Sequence, residues 1–275
     1  MRTALIVGGS GFLGDALIQA AAEQLNVFGT HKSRPIRKAS IKFDLSRDDP
    51  EALVNKVDPQ LIVLAAHIEP MLTERSSHEH AKSFLQACGN RRLIYISSDA
   101  VFDGRRGLYS ENDPVSPDSI YGEGLAFMED VVRDNCPDHI VVRPSYLFGF
   151  SKGGLDSRLE ATRSCLLQGQ KVSLFGDMFK SPLEINEAAA IILKIEAMRF
   201  TGTVHVAGHR MSVFDFHRDA MQALGIHIHH LIAEKIPSDS GFLRDTSLSI
   251  RHMLNLIGRP PRTISAALSD RGSPS

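Results

Sequence analysis

The chain has 275 residues, 43% hydrophobic and 23% charged, enough to bury a full core in one large domain or one and a half. Its formal net charge of −1 gives no sign of a polyanion partner, so nucleic acid is not an expected ligand. Cys88, Cys136 and Cys165 are scattered and form no C-x-x-C pair; with no leader peptide and no apolar run of bilayer length, the expectation is a reducing, cytoplasmic setting without a membrane.

The first element is the most informative. Thr3 to Val7 reads as a short buried strand, Gly8 to Gly14 as a glycine turn, and Asp15 to Glu23 as a helix with apolar residues at helical spacing. Gly9, Gly11 and Gly14 satisfy G-x-G-x-x-G, and Gly8, Gly11 and Gly14 satisfy G-x-x-G-x-x-G. One glycine permits a tight turn, a second lets the backbone approach a pyrophosphate, and a third lets helix and strand pack closely. The phosphates would rest on the unpaired N–H groups that open the helix. Gly8, Gly11, Phe12, Leu13 and Gly14 are therefore the expected dinucleotide contacts.

Asn26 to Thr30 reads as a second strand, Lys42 to Leu45 as the end of a third, and Leu61 to Ala66 as a fully buried one. Glu74 to Ala87 is expected to be helical, Arg92 to Ser97 another buried strand, Gly122 to Asn135 a helix, and Ile140 to Arg143 a closing strand. Apolar strands alternating with helices imply a doubly wound parallel sheet of Rossmann type, covered on both faces. Ligands in such sheets bind beyond the carboxyl ends of the strands, which brings Ala65 and Ala66 to the site. The expected division is 1–149 with 184–208 as the nucleotide-binding domain, and 150–183 with 209–275 as a small mixed substrate lobe.

The end of the second strand bears on cofactor choice. NAD sites usually carry an acidic residue there for the ribose 2′-hydroxyl, whereas basic residues suit a 2′-phosphate. Here the chain reads Gly29-Thr-His-Lys-Ser-Arg34, with no carboxylate before Asp44. NADP(H) is thus expected over NAD(H), with His31, Lys32 and Arg34 as contacts and Asp44 and Leu45 flanking the adenine. The alternative is an ordinary solvated basic loop.

Ile96-Ser-Ser-Asp-Ala-Val-Phe-Asp-Gly104 and Ile120-Tyr-Gly-Glu-Gly-Leu125 carry a family resemblance. With them the chain resembles an extended short-chain dehydrogenase/reductase of the dTDP-4-dehydrorhamnose reductase group, which includes the regulatory β-subunit of methionine adenosyltransferase. Ser97, Ser98, Asp99, Val101, Phe102, Asp103 and Gly104 match the family's strand-ending S-[ST]-D-x-V-F-D-G. Tyr121, Gly122 and Glu129 match its tyrosine helix. Val142 to Gly149, Ile185 to Ala189, Thr203 to Gly208, Arg244 to Leu248 and Arg259 to Arg262 are similar to later family segments, so the resemblance covers nearly the whole chain.

The resemblance implies reduction of a sugar-like or other small carbonyl substrate, with Ser98 holding the carbonyl and Tyr121 giving the proton. The substrate cleft is expected near Ser98, Tyr121, Tyr146 and Asp177. Two departures stand out: Leu125 occupies the position of the family lysine, and Ala100 that of a frequent aromatic residue. The lysine binds the nicotinamide ribose and lowers the tyrosine pKa, and leucine supplies neither charge nor donor. Tyr121 would begin reduction already protonated, since a free phenol titrates near pH 10. The alternative is a non-catalytic NADP(H)-binding regulatory or scaffolding subunit, as a homodimer or with a protein partner.

His67 is either a substitute proton donor or a satisfied neighbour of the strand. Tyr146 and Phe148 either line the substrate pocket or pack. His78, His80, His227, His229 and His230 lack companion ligands at metal-site spacing, so no metal is expected.

Overall fold

Leu5, Ile6, Ile62, Val63, Leu93 and Ile94 are fully buried, as continuous apolar runs require of strands sheltered on both faces. The computed structural model describes residues 1–33, 35, 40–66 and 75–269, excepting the side chains of 75–78 and 80.

In chain order the elements begin β1 (Thr3–Val7), α1 (Phe12–Ala21), β2 (Asn26–His31), β3 (Ile41–Lys42), α2 (Pro50–Val57), β4 (Leu61–Leu64) and α3 (Arg75–Cys88). They continue with β5 (Arg92–Ile96), α4 (Ile120–Asn135), β6 (His139–Pro144), β7 (Leu147–Phe148), β8 (Phe150–Ser151), β9 (Gly154–Leu155) and α5 (Ser157–Leu167). Then come β10 (Val172–Phe175), β11 (Phe179–Lys180), β12 (Leu183–Glu184), α6 (Ile185–Ala197) and β13 (Gly202–Val206). The last are β14 (Met211–Ser212), α7 (Val213–Ala223), β15 (Leu231–Glu234), α8 (Arg251–Ile257) and α9 (Ile264–Ser269).

The chain forms two compact units. One holds Met1–Phe102, Pro114–Arg143 and Ala189–Val204; the other holds Asp103–Asp113, Pro144–Ala188 and the chain from His205 onward. The main sheet is parallel, seven-stranded and flanked by helices, in the order β13-β6-β5-β4-β1-β2-β3. This is the Rossmann-type α/β architecture expected from the alternation of strands and helices. Strand order reverses between β1 and β4, and that switch point opens a crevice at the carboxyl ends of the strands.

Local chemistry sets the helix ends. Asp49 caps α2 by accepting from Glu51 N–H, Pro50 opens it, and Asp58 closes it in the left-handed region. Ser119, Asp156 and Ser212 cap α4, α5 and α7 in the same way. The opening of α1 is different: Gly11 stands at its cap and provides no side-chain hydrogen bond.

The second unit has its own apolar core, built on Phe148, Leu159, Phe216, Met221 and Leu268. Phe148 and Phe216 meet edge to face at 5.2 Å. Phe148 is therefore a packing residue, one of the two roles its sequence context left open.

Candidate functional site

The turn after β1 is shaped by close approach. Gly8 has φ +86°, and a Cβ there would lie 2.7 Å from Ala66 N and 2.8 Å from Ala65 O. Gly8 N–H donates to Thr30 Oγ1 at 3.1 Å, and Gly11 N–H returns to Gly8 O at 2.9 Å. A Cβ on Gly14 would sit 2.2 Å from Gly8 O, so α1 can start under this turn only with glycine there. Gly11 is roomier, its Cβ meeting Gly8 O at 3.2 Å.

A cleft of about 230 Å³ opens on this turn, within the first unit. Gly8, Gly11, His31, Lys32, Asp44, Leu45, Ala65 and Ala66, all candidates from the sequence, line it. Phe12, Leu13 and Gly14 are not in its lining; they form the first turn of α1 behind it. Arg34 lies outside the described residues, as do His67, Ile68 and Glu69. Val7, Ser10, Thr30, Phe43 and Ser46 also line the cleft and were not singled out from the sequence. Each sits beside a residue that was, so adjacency to the strand ends was the available signal.

Asp44 and Lys32 face each other across the cleft's outer end, with Lys32 Nζ 3.0 Å from Asp44 Oδ2. Asp44 Oδ1 accepts from Ser46 Oγ at 2.6 Å and from Ser46 N–H at 3.1 Å. Partial burial would raise the Asp44 pKa, but the Ser46 hydroxyl and the Lys32 ammonium outweigh it and hold the carboxyl at about 2. Asp44 thus reaches the cleft as a carboxylate that anchors Lys32.

This arrangement fits a dinucleotide. The glycine cradle has no room for a side chain at Gly8 or Gly14, and the N-terminal N–H groups of α1 carry no capping side chain. His31 Nδ1 is buried without a hydrogen-bond partner among the described residues, so the cleft wall also retains an unsatisfied polar atom.

β5 delivers Ser97 and Ser98 to the same sheet edge. Ser98 Oγ accepts from Ala100 N–H at 3.3 Å and donates to Asp99 Oδ1 at 3.0 Å, starting a 3₁₀ turn over Asp99–Val101. The first turn of α4 lies against that turn: a Cβ on Gly122 would come 2.2 Å from Ala100 O. Ser119 Oγ caps α4 by accepting from Gly122 N–H at 3.1 Å. Glycine at 122 is thus what lets the Tyr121 helix approach the Ser98 turn. Tyr121 remains 36% exposed, whereas Leu125, one turn later, is 1% exposed and part of the core.

Other sequence candidates fall in the second unit. Asp177 accepts from Ile236 N–H at 2.8 Å and pairs with Arg244 at 3.2 Å. Tyr146, at φ +48°, lies under the Arg158 guanidinium at 4.0 Å. Arg259 and Arg262 bind Glu187, and Arg262 also binds Glu184, which ties the approach to α9 to the start of α6. No group of His, Cys, Asp and Glu that could hold a metal is present among the described residues. No helix among them is long and apolar enough to cross a membrane.

The chain is 27% identical over 241 residues to a probable low-salt glycan biosynthesis reductase of Haloferax volcanii, covering 81% of this chain and 80% of that protein. It is 32% identical over 161 residues to methionine adenosyltransferase 2 subunit beta of Danio rerio, covering 54% of this chain and 49% of that one. Against that subunit, the chain spans about half the relative's length. A hypothetical dTDP-4-dehydrorhamnose reductase of Sulfolobus tokodaii superposes with a TM-score of 0.81 at 26% identity, covering 96% and 97% of the two chains. The family described as RmlD substrate binding domain matches residues 1–270, and the chain belongs to it.

Proposed function

We propose that the chain is an NADP(H)-dependent reductase of a sugar-like carbonyl substrate, with the cofactor and the groups that meet the reacting carbonyl in the first unit. The observation that carries this reading is the glycine-cradled cleft. It ends at Lys32 and lies in the same unit as the Ser98 turn and Tyr121. The absence of an acidic residue at the end of β2 favours the 2′-phosphate of NADP(H) over a free ribose hydroxyl. Both the Haloferax relative and the Sulfolobus structure are named as reductases.

Bound, the cofactor supplies the hydride. Gly8 and Gly11 let its pyrophosphate approach the backbone, and Phe12 and Leu13 offer it the N–H groups of α1. Lys32 offers an ammonium to the 2′-phosphate. Ser98 donates its hydroxyl hydrogen to the carbonyl oxygen, exchanging its bond to Asp99 for one to the substrate. Tyr121 transfers its phenolic proton to the oxygen as alkoxide character develops. Because reduction starts from the neutral phenol, this direction needs less of the missing lysine than oxidation does.

The test is carbonyl-dependent NADPH oxidation across nucleotide-linked and free keto-sugars. With an accepted substrate, Tyr121→Phe should cut turnover by about two to four powers of ten while cofactor affinity holds. Turnover indifferent to Tyr121→Phe would remove the mechanism.

A second reading is a nucleotide-binding regulatory subunit, and Leu125 favours it. A buried leucine one turn after Tyr121 gives no donor to a nicotinamide ribose. In that case the purified chain binds NADPH, turns over no carbonyl on the panel, and modulates a co-purifying enzyme equally well as wild type or Tyr121→Phe.

A further inference from the structure

A second pocket, of about 370 Å³, lies wholly within the second unit. Leu108, Leu248, Ile250 and Leu254 give it apolar walls. Its size falls in the range of small-molecule sites and exceeds the space of a few waters.

Part of the polar lining is uncommitted. Arg251, His209 and Asn255 line the pocket, and none of their side chains has a hydrogen bond or ion pair among the described residues. Arg210, also in the lining, is already neutralised: Asp245 holds its Nε at 2.9 Å and its Nη2 at 2.8 Å, and its guanidinium stacks on Phe179 at 3.6 Å. Among the described residues no carboxylate lines the pocket, and none stands as a counterpart to the charge of Arg251.

The rim adds a separate observation. Leu108 is 56% exposed and held at φ +48°, a region leucine enters only under constraint. The constraint is visible: Leu108 N–H donates to Ser247 Oγ at 2.9 Å, and Tyr109 bridges to Leu248. The chain therefore holds an exposed apolar side chain in the same pocket as a guanidinium that has no partner among the described residues.

We propose that this pocket binds a small organic carboxylate, its anionic end on Arg251 with Asn255 and His209 as hydrogen-bond partners, and its apolar body against Leu108 and Leu254. Arginine suits a planar carboxylate because its fork donates two parallel hydrogen bonds. The site uses none of the residues assigned to hydride or proton transfer, so it stands whether or not the proposed reaction does.

Benzoate is the probe and benzamide, its neutral near-isostere, the control; both are titrated into the full chain and followed by amide NMR shifts. Expected are saturable benzoate shifts at residues 108, 209 and 251, with benzamide at least about tenfold weaker, the size of one lost charge-assisted contact. Arg251→Gln should abolish the preference, and Arg251→Lys should keep part of it. Leu108→Asn, which tolerates the left-handed backbone better, should weaken benzoate without loosening the fold. Equal binding of the two probes, shifts confined to the Gly8 cleft, or unchanged affinity in Arg251→Gln would each overturn the proposal. Arg251 is exposed, so unfolding is not an expected reason for lost binding; the melting temperature of each variant checks this.

Discussion

Glu129 on α4 and Arg143 on β6 form a two-pronged ion pair in the interior of the first unit, at 0% and 1% exposure. Arg143 Nε donates to Glu129 Oε1 at 2.8 Å and Nη2 to Oε2 at 2.6 Å. Ser97 Oγ donates to Oε1 at 2.6 Å, and Arg133 adds a fourth bond at 2.6 Å. One carboxylate thus joins the helix of Tyr121, the strand β6 and the residue preceding Ser98.

Removing one side of such a pair leaves a buried charge alone. Glu129→Ala should cost about 3–5 kcal/mol in denaturant unfolding, whereas the double change Glu129→Leu with Arg143→Met should recover most of it. Burial raises the Glu129 pKa, but the Arg143 hydrogen bonds and charge, with Ser97, bring it below its ordinary 4.5. Because the folded pKa is depressed, this contribution is present above pH 4.5 and is lost as acid titrates the carboxylate below it. A Glu129→Ala protein within about 1 kcal/mol of wild type would contradict the account.

Two glycines of the first turn should separate folding from binding. Gly14→Ala places a methyl 2.2 Å from Gly8 O and should lower the melting temperature without any ligand present. Gly11 has φ −77°, which alanine adopts freely, and its Cβ contact of 3.2 Å needs only a small adjustment. Gly11→Ala should melt close to wild type yet lose NADPH affinity in calorimetry, since the methyl stands where phosphate approaches. Undiminished NADPH binding by Gly11→Ala would place the pyrophosphate elsewhere.

Cofactor preference is testable at the Lys32–Asp44 pair. Lys32→Ala should narrow the gap between NADPH and NADH affinities by weakening NADPH alone. Asp44→Asn releases Lys32 and removes a negative charge near the 2′-position, so the NADPH-to-NADH ratio should rise even if both bind less tightly. Calorimetric titration of both cofactors reads each result, and equal affinities in the unmodified chain would refute the 2′-phosphate assignment.

In the second unit, His217 of α7 is buried and hydrogen-bonded to Thr162 Oγ1 at 2.9 Å through Nδ1. Burial, with the nearby Arg158 charge, pushes its pKa down from 6.5 to about 4. The unfolded chain takes up this proton first, so stability should decline as pH falls from 6.5 toward 4, by up to about 3 kcal/mol. His217→Gln should flatten that part of the stability profile in urea unfolding; an unchanged slope would mean another group titrates there.

The strand–glycine–helix opening was legible because its signals are local: a continuous apolar run, glycines at fixed spacing, and apolar residues at helical period within some twenty positions. The helix starting at Pro50 is less legible although Asp49-Pro50 is a start signal, because it carries only a short apolar face, with Pro50, Leu53 and Val54 buried. Lys32 and Asp44 were each visible as cleft candidates, but their mutual pairing was not. Parallel pairing of β2 with β3, which sets Thr30 opposite Ile41 and His31 opposite Lys42, brings them together. Likewise Glu129 could be matched to a family position, while its bond to Arg143 depends on the packing of α4 beside β6. Leu108, His209 and Arg251 share a pocket across more than a hundred residues of chain with no common pattern. Sequence spacing encodes what neighbouring residues do together, whereas pairing across strands and closing of distant loops depend on the packed core that fixes their separation.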